Sequence, residues 1–70
     1  MHSKIHWMVA CVSEYASRFN ISAESAFQYL YKHGGITFLD EYYDAEHLLS
    51  FDETIDDLVI ICNGNSEAAL

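Results

Sequence analysis

Ile5, Met8, Val9, Val12, Tyr15, Ala16 and Phe19 follow one another at steps of three and four residues. With about 3.6 residues per helical turn, those positions share one side. KIHWMVACVSEYASRF therefore reads as an amphipathic helix, with Trp7 and Cys11 beside its apolar stripe. Asn20-Ile21-Ser22 interrupts the pattern. Ser22 suits the N-cap of a second helix, where its hydroxyl can accept from an amide that the first turn leaves unpaired. Glu24 follows in that turn, where the helix dipole favours a negative charge. Ala23, Ala26, Phe27, Leu30 and Tyr31 form the apolar side, Lys32 and His33 occupy the last turn, and Gly34-Gly35 supplies the stop.

Thr37 and Asp40 resemble a capping box opening a shorter helix, FLDEYY, with Phe38, Leu39 and Tyr42 facing inward. The stretch from Asp44 to Leu49 stays open between a continuation and an irregular turn. Ser50 and Glu53 form a cleaner box. They begin a last helix through Phe51, Ile55, Leu58, Val59 and Cys62, which Asn63-Gly64 should stop. LVIIC is also strand-like, but a lone strand needs a neighbour and no second convincing one exists. Proline, repeats and low-complexity linkers are absent. The expectation is all-α: a small compact bundle of three to five short helices forming a single domain over 1–70. Its core should lie within about 5–62 and gather Val9, Val12, Phe27, Leu30, Phe38, Leu39, Ile55 and Leu58, with 63–70 as a frayed tail.

A chain of 70 residues is marginal for a self-sufficient core, but 51% apolar and 14% aromatic content argues against disorder. No stretch approaches the roughly 20 apolar residues of a membrane span. The N-terminal residues lack the apolar run and cleavage site of a secretory leader. A cytoplasmic location is expected, with Cys11 and Cys62 reduced and packed as small hydrophobes. A disulfide between them is the lesser alternative.

Charge is lopsided. Three Lys and Arg face eleven Asp and Glu, for a net of −8. Residues 1–33 carry Lys4, Arg18 and Lys32 against Glu14 and Glu24, a net of +1, while 34–70 carry nine carboxylates and no Lys or Arg. That sign argues against direct binding to a nucleic-acid backbone. It suits a basic protein partner, or simple solubility.

The densest stretch, YYDAEHLLSFDETIDDL, holds the candidate site. On a helix Asp44 and His47 can touch, as a general base and its orienting carboxylate would. No recognisable nucleophile motif accompanies them, and the plainer reading has His47 bonding a neighbouring backbone group with its ring on Tyr43. His2 and His6 stand four apart near the N-terminus. No C-x-x-C or H-E-x-x-H pattern occurs, and Asp52, Asp56 and Asp57 lack the glycine-centred loop of a calcium site. No metal, cofactor or enzymatic activity is therefore expected. Five tyrosines (15, 29, 31, 42 and 43) are too many for so small a core. Tyr29 and Tyr31 lie about 200° apart around a helix, so some phenols must be exposed. Exposed tyrosine among carboxylates suits a protein-binding face, although scattered surface tyrosines are ordinary. The candidate partner-binding residues are Tyr42, Tyr43, Asp44, His47, Asp52, Glu53, Asp56 and Asp57.

Several landmarks together resemble a known family, the short bacterial proteins catalogued as domain of unknown function three-seven-nine-one. They are Glu14-Tyr15-Ala16, the turn Asn20-Ile21-Ser22, the aromatic helix Phe27-Gln28-Tyr29-Leu30-Tyr31 ending at Gly34, Phe38-Leu39, Tyr43-Asp44-Ala45-Glu46-His47, and Asp56-Asp57. Gly35 and Glu46 depart from the pattern, standing where larger apolar residues are expected. The resemblance implies no catalytic residues. It implies a bacterial or phage-borne origin and, through the toxin-like genes that often neighbour such proteins, an antitoxin or accessory role. The expected function is a non-enzymatic interaction module binding a basic partner through an acidic, tyrosine-containing face. The alternatives are an inhibitor imitating nucleic-acid phosphate and a self-associating structural domain that forms a homodimer.

Overall fold

The breaks at Asn20-Ile21-Ser22, at Gly34 and before Phe51 each separate one helix from the next. The computed structural model describes residues 3–68, and the side chains of 3–64. Among the described residues there are five helices and no strand: α1 (Lys4–Phe19), α2 (Ala23–Lys32), α3 (Gly35–Glu41), α4 (Tyr43–Glu46) and α5 (Phe51–Ala68). This is the small all-α bundle the periodicity predicts.

The helix ends have identifiable chemistry. Asn20 closes α1 in the left-handed region, at φ 55°, with its N–H donating to the carbonyls of Ala16 and Ser17. Ser22 Oγ accepts from the Ser25 amide at 3.0 Å, capping α2 as expected. The Ser50–Glu53 box forms in both directions: the Glu53 amide donates to Ser50 Oγ at 3.2 Å and the Ser50 amide to Glu53 Oε1 at 3.1 Å.

Two boundaries differ from expectation. α3 begins at Gly35 rather than at Phe38 with Thr37 as its cap, because Gly34 at φ 83° turns the chain so abruptly that the next helix starts at the following residue. α5 does not stop at Asn63-Gly64 but runs to Ala68. A glycine ends a helix by adopting positive φ, and Gly64 does not. Helix thus replaces most of the expected frayed tail, whose last two residues lie outside the described ones.

α1 packs against α2, α3 and α5, and α3 lies against α2 and α5. The core contains Cys11, Val12, Tyr15, Ala16, Ala26, Leu30, Leu39, Ile55, Leu58 and Cys62, with Phe38 partly buried against it. Val9 and Phe27 were expected there and are instead 59% and 47% exposed. The apolar arc of α1 is wider than its neighbours can cover: Val9 and Cys11 are about 200° apart around the axis. Packing that buries Cys11 completely leaves Val9 on the flank. Phe27 lies one step round α2 from Ala26, which is on the buried line with Leu30. Tyr42, also expected to face inward, is exposed, because α3 ends there and buries Leu39 instead.

Gly35 explains one departure from the family pattern. A Cβ built there would lie 2.8 Å from Leu30 Cδ2 and 3.2 Å from Cys62 Sγ. Only hydrogen fits where α3 crosses α2 and α5, so the missing side chain is what permits the close approach.

Candidate functional site

The single turn α4 carries the centre of the predicted site. Tyr43 packs edge-to-face on Trp7 of α1, with ring centroids 5.3 Å apart and planes at 74°. His47, one turn further on, stacks on Tyr43 at 4.4 Å and 14°. His47 Nδ1 lies 2.7 Å from the Tyr43 carbonyl oxygen. That oxygen can only accept, so Nδ1–H is the donor and Nε2 is the ring nitrogen left for other contacts. Lys4 pairs with Asp40 and places its Nζ 5.8 Å from the Tyr43 ring centroid. The sequence allowed Asp44 to orient His47, but the imidazole takes a backbone partner instead. The plainer reading of His47 holds.

Together with His6, Ala10 and Phe51, these rings line a groove of about 420 Å³. Its wall is aromatic and imidazole, without a carboxylate. Tyr42 faces elsewhere: its ring packs on Phe38 and borders a separate depression with Lys32 and Glu41. Adjacent tyrosines thus serve different surfaces, because Tyr42 is the junction between α3 and α4 while Tyr43 opens α4.

The acidic residues are likewise divided. Arg18 reaches across from α1 to α5, its Nη1 2.6 Å from Asp56 Oδ1 and its Nη2 3.4 Å from Asp52 Oδ1. Nη2 also donates to the Asp52 carbonyl at 3.1 Å. Asp52 and Asp56, whose own half of the chain offers no cation, are therefore partly neutralised from the other half. Glu53 is occupied in capping Ser50. Asp44 is exposed. Asp57 borders a cleft with Glu46, Phe38, Ile60 and Ile61.

Glu46 is the second departure from the family pattern, and it is buried, with 8% exposure. Its Oε1 has no hydrogen-bond partner. Burial first, and the neighbouring Asp57 second, push its carboxyl up to about 7, against a smaller downward pull from Thr54. Burial also pushes the Cys11 thiol up to about 12 and raises Cys62. Both thiols are free and buried. Among the described residues no three His, Cys, Asp or Glu side chains converge in a way that could hold a metal ion. No helix among them is long and apolar enough to cross a membrane.

Residues 6–65 match the family described as protein of unknown function (DUF3791). The chain belongs to that family. No curated protein and no solved structure matches it. Of this DUF3791 chain's groove-lining residues, Tyr43 and His47 were legible in the sequence as candidates. In the sequence Trp7 is only a neighbour of the α1 stripe, and Phe51 is an apolar position of the last helix within the acidic stretch. His6 stands out in the sequence only for its spacing from His2, and Ala10 not at all, since the groove forms where Trp7 of α1 meets Tyr43 of α4 in the fold. Glu46 stood out as a misfit to the family pattern, and its burial is what makes it unusual.

Proposed function

We propose that this chain is a non-enzymatic protein-interaction module that binds a basic partner, in an antitoxin-like role within a bacterial or phage-borne system. The observation that carries the reading is the aromatic groove of Trp7, Tyr43, His47 and Phe51 on a chain of net charge −8. Distributed carboxylates speed the approach of a cationic surface. An aromatic groove supplies the apolar anchor that slows its departure. The raised thiols support the non-enzymatic part, because nucleophilic cysteine chemistry requires the thiolate.

The test begins with a photo-crosslinking amino acid at position 51, used to capture the groove's occupant in the native host. The captured protein is then purified and its binding kinetics measured against the unaltered chain, Phe51→Ala and Asp57→Lys, at low and moderate salt. Faster dissociation for the first variant and slower, less salt-sensitive association for the second are expected. Identical kinetics for all three chains would overturn the proposal.

A further inference from the structure

The α1–α2 hairpin leaves an apolar flank uncovered outside that groove. Ile5, Met8, Val9, Val12, Phe27 and Ile36 line a second groove of about 260 Å³. The Phe27 ring stacks on Tyr31 at 6.0 Å, continuing the apolar surface along α2. Tyr31 is 70% exposed and Ile5 65%. Trp7 lies about 200° round α1 from both Ile5 and Val9, so this flank and the aromatic groove face different ways and can be occupied together.

Charge says what covers the flank. α2 carries Glu24 in its first turn and Lys32 in its last. Neither is in an ion pair among the described residues, whereas Lys4 and Arg18 both are. A helix with a carboxylate at one end, an aromatic pair between and an ammonium at the other is complementary to itself when reversed. The surroundings favour the same pairing. α1 and α2 together hold Lys4, Arg18 and Lys32 against Glu14 and Glu24, while α5 holds only carboxylates. Two copies of net charge −8 repel least when they meet through this hairpin.

The geometry points to a second copy of this chain as the occupant of the flank, in a two-fold contact with α2 packed antiparallel on its mate. Phe27 and Tyr31 pair across the axis, and Glu24 of each protomer meets Lys32 of the other. Such an isologous contact closes on itself as a dimer. It also covers the Ile5 and Val9 flank that the monomer leaves in water.

Sedimentation equilibrium of the full chain over a broad concentration range tests the dimer. The expected mass rises from 8.0 kDa toward twice that value. Tyr31→Glu should weaken association by about tenfold or more. Glu24→Lys and Lys32→Glu should each weaken it severalfold, and the double exchange should restore it, since it re-creates the same pairs in reverse. All these positions are exposed, and circular dichroism of each variant checks that it stays helical. A mass of 8.0 kDa at every concentration, or a dimer that none of these variants weakens, would overturn the inference.

Discussion

Arg18 on α1 binds Asp56 on α5 at 2.6 Å while also reaching Asp52, so one guanidinium joins the first long helix to the last. The carboxylates are largely exposed, and exposed pairs gain little beyond what water already provides. A double-mutant cycle of Arg18→Met and Asp56→Asn should show only a small coupling, lost at high salt. A large, salt-independent coupling would mean that the bridge is far better shielded than the structure places it.

Glu46 should make stability depend on pH in the direction opposite to ordinary acid denaturation. Its carboxyl is raised from 4.5 to about 7, so the folded state holds the proton more tightly than the unfolded state does. The resulting stabilisation is complete below pH 4.5 and disappears as pH rises through about 7. Allowing for solvent screening, the effect should be on the order of 1–2 kcal/mol. Glu46→Gln, and more strongly Glu46→Leu, should be more stable than the unaltered chain at pH 8 and flatten its profile between pH 5 and 7. Urea titrations across that range measure it. A variant that remains less stable throughout would show the carboxylate to be needed in the fold.

Much of the architecture was legible because helix ends are local chemistry. Ser22, Gly34 and the Ser50–Glu53 box act within a few residues of themselves, so the sequence displays them directly. Val9 and Phe27 lie outside the core for a different reason. A stripe at steps of three and four says which side of a helix is apolar, but not how much of that side a neighbour covers. The site depends on still longer-range facts. Arg18 neutralises Asp52 and Asp56 from more than 30 residues away, and Trp7 joins Tyr43 only because α1 passes α4. Gly64 shows the converse, a local signal overridden when the residue keeps a helical conformation.

Gly35→Ala should destabilise the domain although α3 would gain helix propensity. The added methyl lies too close to Leu30 and Cys62, both fully or almost fully buried. Overpacking of a tight core typically costs about 1–3 kcal/mol, which exceeds the gain of about 1 kcal/mol from replacing glycine in a helix. Thermal unfolding should show a lowered Tm. Adding Cys62→Ala removes the Sγ contact, so the double variant should lose less than the sum of the two single ones.

Cys11 and Cys62 should resist alkylation in the folded state. Both are buried and raised above the ordinary thiol range, Cys11 to about 12, so little thiolate is present at neutral pH. Iodoacetamide should label them only as fast as the chain opens, with labelling accelerating in denaturant. Replacing either by Ala should reduce stability on the order of 1 kcal/mol through lost packing. Rapid labelling without denaturant would reveal an accessible thiol.

Trp7 is the chain's single tryptophan and lies in the wall of the aromatic groove, so its fluorescence reports occupancy there without an added label. Displacing water from beside the indole should shift its emission to shorter wavelength when the captured basic partner binds. Phe51→Ala opens the groove opposite Trp7 and should weaken the complex and reduce the shift together, because one apolar anchor serves both. Charge reversal at Asp57 should behave differently, since that residue borders another cleft. It should slow association yet leave the shift at saturation unchanged, because steering affects the approach rather than the seated complex. Stopped-flow fluorescence at two salt concentrations separates these effects. A partner that binds with no change in Trp7 emission occupies some other surface, and the acidic residues would then be assigned to that surface instead.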